Sequence, residues 1–352
     1  MITPGSTIGI LGGGQLGRML ALAAAQLGYR CHIYAPESDS IAAEVSAAFT
    51  CADWADTEAM ARFAADCAVV TYEFENVPVT PLLALGKVPL HPHPRALETA
   101  QDRLTEKTFV TGLGGTPAPF APVDTLADLE AAMAKIGVPG ILKTRREGYD
   151  GKGQWRIRSA ADVDALDLPP QPLIYEGFVT FEAEFSVILC RGEDGAIRFF
   201  DSARNVHEDG ILATSTVPAG DPIEAQVAPA RELAAAVAEA LGYVGVLTLE
   251  FFATADGPVF NEMAPRVHNS GHWTTEGAIT SQFENHIRAI CGLPLGDTAL
   301  AAPGAQMRNL IGDAALDWPA LLRDSANHLH LYGKGTPSLG RKMGHVTRLT
   351  LD

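Results

Sequence analysis

Two glutamates stand where the pattern calls for apolar core: Glu250 in Leu247-Thr248-Leu249-Glu250-Phe251-Phe252, and Glu262 in Val259-Phe260-Asn261-Glu262-Met263. A carboxylate in a buried strand is costly without a cation to meet it. The intervening Ala255-Asp256-Gly257-Pro258 predicts a hairpin turn. A three-residue loop, with Gly257 at positive φ, sets Glu250 opposite Glu262 on one face of the sheet. A two-residue Asp256-Gly257 turn shifts the register by one and sends the pair to opposite faces. With the longer loop, two converging carboxylates without His or Cys favour a hard cation. Mg²⁺ held by one or two carboxylates usually keeps company with substrate phosphates.

Other segments carry matching chemistry. Lys143 ends a β-type run and is followed by Arg145-Arg146-Glu147-Gly148-Tyr149-Asp150-Gly151-Lys152-Gly153-Gln154, a glycine loop bearing three cations that could fold over a triphosphate. Its spacing excludes a P-loop. Tyr175-Glu176-Gly177-Phe178-Val179 could read an adenine edge with main-chain groups, and Glu184 could accept from ribose hydroxyls. In Arg266-Val267-His268-Asn269-Ser270-Gly271-His272, Gly271 and Pro265 argue for a loop that handles substrate or protons rather than a helical zinc pair. Lys334, Arg341 and Lys342 among Gly333, Gly335 and Gly340 suggest a clamp for a phosphate monoester. His91 and His93 alternate with prolines and read as a rigid linker. Gly12-Gly13-Gly14-Gln15-Leu16-Gly17 fits G-x-G-x-x-G, with Glu37 as a ribose acid, and alone points to a dinucleotide. Glycine turns also pack helices on strands, however, and a nicotinamide oxidoreductase leaves Glu250, Glu262 and the Lys152 loop without a task.

The elements that must hold these residues alternate at first. Strands are expected at Thr7 to Leu11, Cys31 to Ala35, Ala68 to Tyr72 and Val88 to Leu90, with helices at Gln15 to Leu27, Ile41 to Glu44 and Thr57 to Ala65, which implies an open parallel sheet. A charged helix from about Arg95 to Val110 leads into an α+β unit. Its β-type runs are Gly140 to Thr144, Leu173 to Gly177, Glu184 to Leu189, Ile197 to Phe200 and Val246 to Phe252, and its long helix is Ile223 to Leu241. After Leu295 the composition turns loop-rich, ending in a strand-like tail from His345 to Leu351. The expected division is 1–100, 101–295 and 296–352. Three units suit 352 residues with 47 % hydrophobic content. A formal charge of −16 argues against a nucleic-acid surface. The five scattered cysteines read as reduced thiols, and no run approaches the ~18 apolar residues of a membrane helix, so a cytoplasmic protein is expected.

Taken together, Arg103, Lys107, Lys143, the Gly148–Gln154 loop, Glu176 to Val179, Glu184 and the Glu250/Glu262 pair resemble the ATP-grasp superfamily. Within it, the glycine turn, Thr71-Tyr72-Glu73-Phe74-Glu75-Asn76-Val77-Pro78, the Gly148–Gln154 loop, Asn261 to His272 and Gly340-Arg341-Lys342-Met343-Gly344-His345 resemble the N5-carboxyaminoimidazole ribonucleotide synthetase family. That resemblance implies a central ATP-grasp fold with a small mobile lid at about 116–172, a preceding α/β domain and a small C-terminal domain. It also implies a homodimer that takes ATP, Mg²⁺, bicarbonate and 5-aminoimidazole ribonucleotide. The product would be N5-carboxyaminoimidazole ribonucleotide, formed through carboxyphosphate with release of ADP and phosphate. By the same resemblance Arg103, Lys107 and Lys143 meet phosphates, and Gly148, Gly151, Gly153 and Gln154 cover them. Glu176, Gly177, Phe178 and Val179 take adenine, Glu184 the ribose, His207 and Asn261 the nucleotide, and Glu250 and Glu262 the metal. Tyr149, Asp150, Lys152, Arg266 and His268 surround bicarbonate and the reacting amine. Glu73 and Asn76, with the backbone of Gly14, Gln15 and Leu16, hold the aminoimidazole ribonucleotide, and Lys334 and Arg341 its phosphate.

Overall fold

The computed structural model describes residues 1–148, 153–164, 166 and 168–351. Tyr149, Asp150, Gly151 and Lys152, to which catalytic and nucleotide roles were assigned above, lie outside the described residues.

The first unit is a four-stranded parallel sheet in the order Ala48–Cys51, Arg30–Ala35, Thr7–Leu11, Val69–Tyr72. Strand Ala48–Cys51 was not anticipated. Its alternation is blurred by half-exposed side chains on both faces. Val88 to Leu90 supplies only a single bridge, Val70 to Leu90. Helix Gln15–Gln26 packs its Ala/Leu face in one core with helix Gln282–Ile290 of the central unit, so the first two units share buried surface. His286 of that second helix joins them further. Its Nδ1 accepts from Val246 N–H (3.1 Å) and its Nε2 lies 2.8 Å from Thr71 Oγ1.

The expected helix from Arg95 to Val110 is two helices, Pro94–Ala100 and Arg103–Gly112. Asp102 makes the break: its Oδ1 accepts from the N–H groups of Leu104 and Thr105 and so starts a second helix where one was expected to run on.

The central sheet has nine strands. Along its main path the order is Gly257–Ala264, Gly245–Thr254, Ala183–Arg191, Ala203–Glu208, Ile211–Val217, Gly304–Ile311, Lys342–Thr350, Asn327–Leu331, and Ile197–Phe199 pairs beside Ala183–Arg191. The C-terminal strands therefore extend this sheet. Gly304–Ile311 was hidden from a sequence reading by the Pro- and Gly-rich stretch before it. A separate four-stranded sheet, Phe120–Val123, Leu173–Gly177, Gly140–Thr144, Gln154–Ile157, carries its own core around Leu129, Leu142 and Tyr175. Its strand Leu173–Gly177 takes this small unit past the 172 expected from the sequence. It forms a roof over one end of the central sheet. No helix among the described residues is long and apolar enough to cross a membrane.

Candidate active site

The glutamate hairpin reaches the expected arrangement by a route that the sequence did not suggest. Thr254 pairs with Gly257, so the turn is the two-residue Ala255-Asp256, with Gly257 at φ 119°. That register alone would set Glu250 opposite Asn261. The register shifts between Glu250 and Phe251, where Asn261 is inserted as a bulge, and Glu250 pairs with Glu262. Both carboxylates line one cleft of about 520 Å³, well within the size range of ligand sites. Glu250 Oε1 lies 3.1 Å from His268 Nε2, and Glu262 Oε2 accepts from Arg103 at 2.9 Å. Burial alone would raise the Glu262 carboxyl, but Arg103, with Lys143 and Lys107, holds it at about 2.

Arg103 and Lys107 lie one turn apart on the face of helix Arg103–Gly112 that looks into the cleft. Arg103 also donates to the Gly148 carbonyl (3.0 Å), at the start of the glycine loop. Lys107, fully buried, donates to Asn261 O at 2.9 Å and stands 3.4 Å from Glu176 Oε1; Lys143 donates to Glu176 Oε2 at 2.8 Å. Burial lowers the Lys143 ammonium, with Glu176 opposing, while the two lysines hold the Glu176 carboxyl below its usual value against the effect of burial. Three cations thus face two carboxylates, a balance that suits an incoming anion. Between Arg103 and Lys107, Glu106 accepts from Met263 N–H at 2.7 Å, and burial pushes it up to about 8.

Beside Glu176 a slot of about 70 Å³ opens between Phe178, Val179, Phe181, Phe252 and Phe260. Phe181 and Phe252 are stacked with centroids 4.6 Å apart. Flat apolar walls of this kind suit a purine base. Glu184 is 2.7 Å from His207 Nδ1. Burial would lower the His207 imidazole, and the Glu184 hydrogen bond and charge raise it instead.

At the other end of the cleft, Arg266 grips Glu75 with two nitrogens, Nε to Oε2 and the second to Oε1 at 2.8 Å. This pair spans the first unit and the hairpin. Glu75 belongs to the Thr71–Pro78 motif, where nothing in the sequence distinguishes its role from those of the neighbouring Glu73 and Asn76. Glu73 also meets the glycine turn. Its carboxylate accepts from Gly14 N–H (2.8 Å) and Gly17 N–H (3.3 Å), so two amides at the helix start are already bound to a side chain. Gly12, at φ 110°, would place a Cβ 2.6 Å from the Glu73 side chain. The glycine fingerprint therefore makes room for Glu73, and Glu37 is exposed beyond the second strand, so the dinucleotide reading has no support here. Gln15, Leu16 and Asn76 do line the cleft. Of the cationic tail, Lys342 lines it, while Arg341 is exposed and Lys334 lies 5.5 Å over the Tyr332 ring.

The donor set of the hairpin fits Mg²⁺: two oxygen ligands on one face and, among the described residues, no cluster of three or more His, Cys, Asp or Glu that would form an all-protein cage.

Comparison with known proteins gives the same class for each part. The ATP-grasp domain family matches residues 108–283, the ribonucleotide synthetase preATP-grasp domain 5–101, and the phosphoribosylaminoimidazole carboxylase C-terminal domain 305–352. The chain is an ATP-grasp ligase. The N5-carboxyaminoimidazole ribonucleotide synthase of Brucella melitensis is 51% identical over 99% of this chain and 97% of its own length. The crystal structure of the Thermus thermophilus synthetase superposes with a TM-score of 0.91 at 48% identity, covering 97% of this chain and 93% of that one. That of the Aspergillus clavatus enzyme, in complex with ADP and 5-aminoimidazole ribonucleotide, has a TM-score of 0.89 at 32% identity, covering 98% and 94%. The chain belongs to the N5-carboxyaminoimidazole ribonucleotide synthase family.

Proposed function

We infer that this ligase carboxylates 5-aminoimidazole ribonucleotide at the expense of ATP, and we propose bicarbonate as the carbon source and the following division of labour. The observation that carries the reading is the pairing of Glu250 with Glu262 on the cleft face, with three buried cations on one side and Arg266 with His268 on the other. Adenine lies in the slot beside Glu176 to Val179, and Glu184 with His207 takes the ribose. Arg103, Lys107 and Lys143 neutralise phosphate charge, and Glu176 gives up part of its hold on the lysines as they turn to the nucleotide. Glu250 and Glu262 would hold Mg²⁺, which when bound supplies charge neutralisation across the phosphates. A bicarbonate oxygen attacks the γ-phosphorus as the bond to ADP breaks; carboxyphosphate then yields its carboxyl to the exocyclic amine with loss of phosphate.

The acceptor sits where Gln15, Leu16, Asn76 and Lys342 line the far end. Glu73 supports it indirectly by fixing the glycine turn. Arg266, held by Glu75, and His268, held against Glu250, present a cation and an imidazole to the reacting groups. Lys334 and Arg341 are assigned the acceptor's phosphate. The small four-stranded unit acts as a lid that excludes water from the labile carboxyphosphate. A cytoplasmic homodimer completes the proposal; a sedimentation mass of one chain would remove the dimer. The test of the function is ADP formation that requires Mg²⁺, bicarbonate and aminoimidazole ribonucleotide together.

A further inference from the structure

Behind the cleft, a row of polar side chains crosses the apolar interior of the central sheet. Ser186 pairs directly with Glu250 on the neighbouring strand, and Asn205 pairs with Ser215 on the next two. The row is closed by Ser270, which folds back from the loop that carries His268. Ser270, Ser186 and Ser215 are no more than 1 % exposed and Asn205 is 4 % exposed. Apolar residues would fill such positions at less cost unless the polar groups were needed.

The hydrogen bonds form one chain. Ser215 Oγ donates to Asn205 Oδ1 (2.8 Å), Asn205 Nδ2 donates to Ser186 Oγ (2.6 Å), the Ser186 and Ser270 hydroxyls share a bond of 2.8 Å, and Ser270 Oγ lies 2.8 Å from His268 Nδ1. Ser270 N–H also donates to Nδ1, at 3.3 Å. The opposite ring nitrogen, Nε2, faces Glu250 at 3.1 Å. The backbone of His268 is held as firmly: Gln282, fully buried, accepts from its N–H (2.9 Å) and donates to its carbonyl (2.6 Å). An acceptor-only carboxylate at Nε2 and an N–H donor at Nδ1 place the proton of the neutral ring on Nε2.

We propose that the chain from Ser215 through Asn205 and Ser186 to Ser270 positions the His268 imidazole against Glu250, with Ser270 as the positioning residue in contact with the ring. A hydroxyl suits this place better than a carboxylate or an amide. It donates to the bare Nδ1 beside the Ser270 N–H and so keeps Nε2 turned towards Glu250. The chain ends beside the carboxylate pair, which ties imidazole orientation to the same sheet that sets the metal ligands.

This inference rests on the reading of His268 as a group that meets the reacting molecules, and the test separates the two. In Ser270→Ala, kcat for aminoimidazole ribonucleotide-dependent ADP formation should fall about 10- to 100-fold, the loss typical of removing such a supporting partner, with KM for ATP within about twofold of the parent. The ¹⁵N signal of His268 Nδ1 should move in the nucleotide-free protein while those of the other histidines stay. Ser270→Thr, which keeps the hydroxyl, should recover most of the rate. An unchanged kcat and an unchanged His268 signal in Ser270→Ala would overturn the proposal. Should that variant not fold, Ser186→Ala carries the same test one link away, with the same expected loss. His268→Ala run alongside identifies which idea fails: full activity there contradicts the role of His268 itself, whereas an inactive His268→Ala beside a fully active Ser270→Ala contradicts only the positioning chain.

Discussion

The floor and the roof of the cleft are built differently. The floor is the nine-stranded sheet, where Glu250 sits on a strand paired on both sides, Glu262 on the edge strand held by Glu106 and Lys107, and His268 on a loop locked by buried side chains. The roof is a four-stranded sheet with its own small core, joined to the rest through contacts that include Lys107 on Glu176 (3.4 Å), Arg145 on Asp102 (2.8 Å), Arg103 N–H to Arg145 O (2.9 Å), Arg103 to Gly148 O, and Phe260 N–H to Thr116 O (2.9 Å). Local stability follows from packing and pairing of this kind. Under the proposed function, this contrast would let one site hold a metal on a fixed floor and admit a nucleotide beneath a movable roof.

Breaking the floor should cost most. Glu262→Gln keeps the shape and a partner for Arg103 but removes one of two paired carboxylates, and turnover should fall by about 10³-fold, the several kcal/mol expected of metal-held charge. Steady-state ADP release measures it, and calorimetry should show weakened Mg²⁺ binding in the presence of ADP. A variant within a few-fold of the parent would remove the pair from the mechanism.

Loosening the roof should cost less and in another parameter. Asp102→Ala frees Arg145 and uncaps helix Arg103–Gly112, so KM for ATP should rise about tenfold with a smaller change in kcat, and the protein should lose about 1 kcal/mol for the cap. Denaturant melts and ATP titrations separate the two effects.

The contrast sharpens if hydrogen exchange is followed with and without nucleotide. Protection should rise across about 116–172 and stay constant in strands Ala183–Arg191 and Gly245–Thr254. Equal change in both regions, or none in the first, would dissolve the distinction between roof and floor.

The last effect falls on stability rather than turnover, at the joint between the first unit and the floor. His286 is buried and neutral, held down to about 3 chiefly by desolvation. The unfolded chain binds a proton near pH 6.5 that the folded one refuses, so the stability from this group is complete above pH 6.5 and is lost as pH falls from there towards 3. The loss is about 1.4 kcal/mol per pH unit in that window. In His286→Gln, unfolding curves between pH 6.5 and 4 should be flatter by that amount.

Much of this was legible because chemistry and pattern disagreed: Glu250 and Glu262 stood out as charges in strands, and Lys143 with the glycine loop stood out as cations among turn residues. What escaped was set by tertiary contact. No local signal placed the turn at Ala255-Asp256 with a compensating bulge at Asn261, and the agreement on facing glutamates came from two differences that cancelled. Glu73 takes its substrate role from the family resemblance, and nothing local in the sequence points to the glycine turn. Only the fold brings it under Gly14 and Gly17, fifty-six or more residues away. Ser186 and Asn205 look like ordinary strand residues until the sheet aligns them with Glu250.

The central claim is a ligase that spends ATP on bicarbonate to carboxylate an aminoimidazole ribonucleotide. ADP release with Mg²⁺ and bicarbonate, measured with and without 5-aminoimidazole ribonucleotide, tests it directly. Release that rises strongly on adding the ribonucleotide, with matching formation of its N5-carboxylated product, is the predicted result; release indifferent to the ribonucleotide, with no carboxylated product, would contradict the account.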